Sequence, residues 1–224
     1  MATLTNLDLL RRVPMFSMLS EEQAESLSGA VVKQRFKRGE RIVQQGEKSD
    51  ALYIILAGHG RVVMTDSQGK EVILATLQAG DYIGEMSLID NESHSATVEA
   101  ETQTDVLVLG RDAFTHSLAA STSMAYAIMR GLVQRLRHAD RKIGSLALMS
   151  VYGRVANVLL DAAAASPLQD MTIHEKLSRQ DIAKMVGASR EMVSRVMKDF
   201  EEQGFVVPQE GGGMFVKERR SKPR

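Results

Sequence analysis

Two stretches carry side chains whose types and spacing could do chemistry. In 189-SREMVSRVMKDF-200, Arg190, Ser194 and Lys198 recur at every fourth residue, and Glu191 and Arg195 form a parallel row. Met192, Val193, Val196, Met197 and Phe200 take the remaining, apolar face. The forked donors of arginine match O6 and N7 of guanine, and a carboxylate accepts from N4 of cytosine; each such pair discriminates between bases by about 1–3 kcal/mol. A carboxylate beside phosphates costs affinity, and a base-reading role for Glu191 offsets that cost. The plainer alternative is a solvated helix in which Glu191 and Arg195 pair for about 0.2–0.5 kcal/mol. The second stretch is 80-GDYIGEMSLIDNESHSATVEA-100. Gly84 can free backbone N–H groups at the start of a helical turn containing Met86 and Ser87, the kind of nest that holds a phosphate. Glu85 can accept from a ribose hydroxyl, and Ser95, followed by Ala96, can donate to a phosphate oxygen; the same residues also fit a solvated turn.

The elements around the first stretch give it a setting. Ser178 caps a short helix with Asp181 three residues on, and Ile182, Met185 and Val186 form its inner face. Gly187 and Ala188 make a tight corner, and Ser189 caps the helix that follows. The pattern is a helix-turn-helix, whose second helix enters the major groove. Ser178, Arg179 and Gln180, together with Ser189, join the candidate DNA-facing set. Downstream, 204-GFVVPQEGGGMFVKERR reads as two short strands around a glycine-rich tip, a wing.

Around the second stretch, Phe36 to Leu109 alternates short apolar runs with glycine turns, which predicts an antiparallel sandwich or barrel of hairpins. Helices are expected before it, at 8-DLLRRVPMF and at 20-SEEQAESLSGAVV with Ser20 and Gln23 as a capping box. After it, Asp112 can cap a short helix, and Ser121 or Ser123 a long one reaching about Met149. Along that helix Ala125, Met129, Leu132, Leu136, Ala139, Ile143 and Leu146 recur at steps of four and three, a heptad seam suited to pairing with a second copy. Gly131 and Gly144 interrupt it, either for close approach or for bending. The expected architecture is α+β: an effector domain over 1–120, a dimerisation helix over 121–149, and a winged helix-turn-helix domain over 150–224.

Composition narrows the function class. The 224 residues are 44% hydrophobic and 25% charged, with zero formal net charge, which fits a folded soluble protein. Residues 1–110 hold 10 basic and 16 acidic side chains, and residues 111–224 hold 18 and 12, so the C-terminal half can meet a polyanion. No cysteine is present, so there is no disulfide, thiolate metal site or cysteine nucleophile. No nucleophile–base pair or metal triad appears at useful spacing, and the five histidines show no haem-binding pattern, so neither catalysis nor a metal is expected. No run is long enough to span a bilayer, and the charges of MATLTNLDLLRR follow its apolar residues, the reverse of a secretory signal. The expected compartment is the cytoplasm.

The motifs QQGE at 44–47, LYIILAG at 52–58, GDYIGEMSLI at 80–89, SAT at 95–97, GRVANVLL at 153–160 and SRQDIAKMVGASREMVSRVMKDFEEQG at 178–204 resemble the cyclic-AMP receptor and fumarate-nitrate regulator family of bacterial transcription factors. The resemblance runs nearly end to end. It implies an N-terminal cyclic-nucleotide-binding jelly-roll β-barrel, a long dimerisation helix and a C-terminal winged helix-turn-helix. It also implies a homodimer on palindromic double-stranded DNA with TGTGA-like half-sites, read by Arg190, Glu191 and Arg195, and a contact with RNA polymerase. The family's phosphate-holding arginine corresponds here to His94, which cannot supply a permanent fork donor. The Thr-Ser pair that meets adenine corresponds to Ala139 and Asp140. Asp140 matches the N1 and N2 donors of guanine, and Arg137 or Arg141 its O6 and N7 acceptors. These departures favour cyclic di-GMP as effector; cyclic AMP, another small molecule, no ligand, and a signalling adaptor that does not bind DNA are the alternatives.

Overall fold

The computed structural model describes residues 5–17, 19–164, 171–174, 177–209 and 212–217. The chain divides into two compact units, Met1–Leu136 and Arg137–Arg224.

The first unit opens with α1 (Asn6–Arg11), a 3-10 turn (Pro14–Phe16) and α2 (Glu21–Ala30). Both helices begin in reciprocal capping boxes, Thr5 with Asp8 and Ser20 with Gln23, which satisfy backbone donors that a helix start leaves open. Eight strands follow: β1 (Val31–Phe36), β2 (Arg41–Val43), β3 (Ala51–Ala57), β4 (Gly60–Thr65), β5 (Glu71–Leu77), β6 (Tyr82–Ile83), β7 (Thr97–Ala100) and β8 (Thr104–Gly110), with α3 (Glu85–Asp90) between β6 and β7. They make two antiparallel sheets in the orders β1-β8-β3-β6 and β2-β7-β4-β5, the expected jelly roll. Then come α4 (Arg111–Ala120) and α5 (Thr122–Leu148), which runs on into the second unit.

Strands β3 and β8 show why the sequence alternates only in part. Ile55 and Val106 point into the core between the sheets, with Phe36, Ile42, Leu77 and Val98. Their neighbours Leu52, Ile54, Leu107 and Leu109 point the other way, into a second core with Leu10, Phe16, Leu27, Phe114, Met124 and Ile128 of the helices. A strand buried on both faces reads as a continuous apolar run.

Two local expectations are corrected. Val31 and Val32 do not extend α2; these β-branched residues start β1 and pair with Leu109 and Val108. Asp112 does not cap α4, whose N-cap is Gly110 without a side-chain bond; Asp112 lies in the first turn instead. Ser121 does cap α5, its hydroxyl accepting from the Met124 N–H at 3.3 Å.

The second unit comprises the last turns of α5, α6 (Val151–Ala164), α7 (Arg179–Val186), α8 (Arg190–Glu202) and a small antiparallel sheet of β9 (Thr172–Ile173), β10 (Val206–Pro208) and β11 (Met214–Val216) in the order β10-β11-β9. Strand β9 is two residues long, too few to leave a periodic signal of its own. Val155, Leu159, Ile182, Val186, Val193, Val196, Met197 and Val216 form its buried core. Gly187 ends α7 with φ of 64°, a left-handed conformation that glycine adopts without strain. The stretch ASPLQD at 165–170, where the family resemblance places the loop that contacts polymerase, lies outside the described residues.

Candidate nucleic-acid interface and effector pocket

Helix α8 presents the expected polar face. Ser189 caps it, its hydroxyl accepting from the Met192 N–H at 3.2 Å, and Arg190, Glu191, Ser194, Arg195 and Lys198 are all exposed. Backbone N–H donation to its carboxylate, and then the Ser189 hydroxyl, hold Glu191 below the usual carboxylate range. Among the described residues no ion pair joins Glu191 to Arg195, so the plain helix pairing is absent. Lys198 lies 3.7 Å from Glu202 in an exposed pair. Ser178 caps α7 through the Asp181 N–H at 3.0 Å, and Gln180 is exposed. Arg179 is engaged elsewhere: its guanidinium donates to Glu201 at 2.7 Å and ties α7 to α8. The wing strands β10 and β11 pair in register from Val206 with Val216 to Pro208 with Met214; residues 210 and 211 at its tip lie outside the described residues.

The second set gathers around α3 in the first unit. Gly84 has φ of 96°, and a Cβ there would stand 2.6 Å from the Ala51 carbonyl oxygen, so both backbone and packing demand glycine. Glu85 is 1% exposed. Burial pushes its carboxyl up, and Arg135 partly offsets this by donating from Nη1 at 2.5 Å. Arg135 also donates to the Tyr82 carbonyl, and its guanidinium lies 4.7 Å from the centre of the Tyr82 ring, a cation–π distance. The carboxylate expected to take a ribose hydroxyl is thus occupied by an arginine of α5. The sequence offers no sign of this, because Arg135 is one of several basic residues, with Arg130, Arg137, Arg141 and Lys142, along the same stretch.

His94 is buried. Its Nε2 is 2.8 Å from the Ser49 hydroxyl and its Nδ1 3.2 Å from the Ser87 hydroxyl, so both ring nitrogens are taken. Desolvation lowers its pKa, with Glu47 opposing in part; the ring is therefore neutral and knits α3 to the loop before β3. Ser95 and Met86 are exposed and Ala96 is buried. A residue that the sequence did not flag completes the turn: Arg111 donates to the carbonyls of Leu88 at 3.1 Å and Ser87 at 3.3 Å while pairing with Asp50 at 2.8 Å. A cation at the end of a helix suits the carbonyl dipoles there.

Arg137, Asp140 and Arg141 belong to the second unit and are exposed on α5. The expected seam is not uniform. Met129, Leu136, Ile143 and Leu146 are exposed, and so are Tyr126 and Val133, whereas Leu132 packs against the helical core of its own unit. The outward stripe keeps Met129, Leu136, Ala139, Ile143 and Leu146 of the expected seam, adds Tyr126 and Val133, and departs from it at Leu132. Gly131 is there for close approach, since a Cβ would collide with the Tyr82 hydroxyl, while at Gly144 a Cβ would meet nothing within 4 Å.

A jelly-roll nucleotide fold followed by a winged helix-turn-helix defines a class of transcription regulators. Residues 33–121 match the family model for the cyclic nucleotide-binding domain, and residues 153–221 that for the Crp-like helix-turn-helix domain. The chain is 34% identical over 182 residues to the cAMP-activated global transcriptional regulator Vfr of Pseudomonas aeruginosa, covering 78% of this chain and 84% of Vfr. It is 35% identical over 170 residues to the cAMP-activated global transcriptional regulator CRP of Salmonella typhimurium, covering 74% and 80%. Among solved structures it superposes on the c-di-GMP responsive global regulator CLP of Xanthomonas campestris with a TM-score of 0.77 at 23% identity, covering 89% of this chain and all of CLP. The chain belongs to the CRP family of DNA-binding transcription regulators.

Proposed function

We propose that the chain acts in the cytoplasm as a homodimer that binds a palindromic operator, and that cyclic di-GMP modulates this binding. The observation that carries the effector reading is His94: at the position of the family's phosphate-holding arginine stands a buried neutral ring whose nitrogens are both committed to serines. A cyclic monophosphate finds no forked cation there. Asp140, flanked by Arg137 and Arg141 on one exposed stretch of α5, offers the acceptor and donors that a guanine edge requires. CLP carries cyclic di-GMP responsiveness on the same fold.

A second reading is cyclic AMP, favoured by the names of Vfr and CRP and by the retained Gly84, Glu85 and Ser95. Either nucleotide must displace Arg135 to use the Glu85 carboxylate. For dimerisation the support is the exposed apolar stripe of α5, larger than a lone helix keeps in water. Base reading is proposed for Arg190, Glu191 and Arg195, with half-sites about one helical turn apart, and a polymerase contact follows from the family resemblance. The role is regulatory rather than catalytic. Calorimetric titration with each nucleotide, followed by operator affinity with and without it at fixed salt, tests the effector. Heat and an affinity change with cyclic di-GMP alone support the first reading; the same with cyclic AMP alone replaces it with the second.

A further inference from the structure

The end of α5 and the corner of the helix-turn-helix are joined by one side chain. Arg154, on α6, donates from Nε to the Val186 carbonyl at 2.9 Å and from Nη1 to the Met149 carbonyl at 3.0 Å. Val186 is the last residue of α7, and Met149 follows the last residue of α5. Both carbonyls sit at helix C-termini, where orphan acceptors concentrate negative partial charge. One planar fork therefore satisfies two helix ends at once, which a lysine's single ammonium on a flexible stem does less well.

Packing around the fork repeats the connection. Beside Gly187 in the corner, a Cβ would stand 3.4 Å from Leu146 Cδ2 of α5, and at Gly153 one would stand 3.0 Å from the Met149 methyl. The Met149 sulfur accepts from Ser145 at 3.6 Å and from Asn157 at 3.3 Å. The compact unit that contains the helix-turn-helix begins at Arg137, so it includes the last turns of α5. The break between α5 and α6 at 149–150 is tied across by Arg154, Leu146 and Met149.

We propose that Arg154 is a positioning residue for operator binding: it fixes the direction in which α7 and α8 leave the end of α5, so that the last turns of α5 and the reading helix move as one body. The inference rests on the dimeric, palindrome-binding reading above. In a dimer it makes the separation of the two reading helices a property of α5 rather than of a loose joint. Arg154 itself need touch no DNA.

The test uses the full chain and a panel of operators: the preferred palindrome, the same half-sites with the spacer one base pair shorter or longer, and a single half-site. Arg154→Ala is expected to reduce the preference for the correct spacing about tenfold while single half-site affinity stays within twofold, and Arg154→Lys to recover part of it. Unchanged spacing preference in Arg154→Ala overturns the proposal. Should Arg154→Ala lose its far-ultraviolet melting transition, Arg154→Lys and Leu146→Ala on the same panel decide, and wild-type spacing preference in both overturns it. A wild-type chain that shows no preference for any palindrome overturns the operator reading itself, a result distinct from the others.

Discussion

The hydroxyl of Tyr82 occupies the space where a Cβ of Gly131 would stand, and from there it donates to the Ile128 carbonyl at 3.3 Å. A strand residue is thereby keyed into a notch in α5, one turn away from the Arg135–Glu85 pair on the same helix. Gly131→Ala gains helix propensity of up to about 1 kcal/mol but must push the ring out. A net loss of about 1–3 kcal/mol is expected in urea unfolding. Tyr82→Phe combined with Gly131→Ala should lose less than the two single changes together, and strict additivity would show that the notch and the ring are independent.

The reading helix makes a separate prediction. Arg190→Ala or Arg195→Ala should weaken specific binding by about 1–3 kcal/mol and relax base preference at one symmetric position, as seen by selection from randomised operators. A uniform loss over all sequences would identify them as phosphate contacts.

Much of this was legible in sequence because it is local. Caps at Ser20, Ser178 and Ser189, the corner at Gly187 and the apolar face of α8 each depend on residues a few positions apart. The missed features join distant segments. Arg135 meets Glu85 from 50 residues away, Arg111 ends α3 from 23 away, and Ser49 reaches His94 from 45 away. Nothing in the spacing of a basic residue says which carbonyl or carboxylate it will find. The seam departs from expectation at one position for a related reason: Leu132 and Val133 are both apolar, and only the packing of the jelly roll decides that Leu132 turns inward.

His94 gives a pH signature. Its folded pKa lies below the ordinary value, so the neutral ring contributes stability that is fully present above about pH 6.5 and is lost as pH falls through the lowered folded value. His94→Gln should flatten the decline of the urea midpoint between about pH 7 and pH 5. An unchanged slope would place the titrating group elsewhere.

Asp105 acts in a lower window. Arg35 at 2.6 Å and Lys33 at 3.1 Å hold its carboxyl down to about 2, the Arg35 hydrogen bond being the larger cause. The depressed value means stability that is present above the ordinary 3.8 and lost as pH falls toward 2. Both cations are about half exposed, so screening limits the contribution to roughly 1 kcal/mol. Asp105→Asn should unfold at a higher pH in acid titration of the circular dichroism signal, by no more than this amounts to.

The outward face of α5 predicts the oligomeric state. Ile143 is 64% exposed and Leu136 62%. Replacing either with glutamate should shift the sedimentation of the chain from dimer to monomer at micromolar concentration and abolish the advantage of a palindrome over a single half-site. A variant that stays dimeric would move the interface off this helix.

Among the described residues strand β8 is the only partner of β1, and it also flanks β3. A nascent chain leaving the ribosome therefore holds residues 31–36 without a neighbour until residue 110 has emerged, several seconds of synthesis at ordinary elongation rates. During that interval the charges of Lys33 and Arg35 stand along the unpaired segment and discourage its pairing with another polypeptide. These two cations guard the newborn protein before Asp105 arrives to meet them.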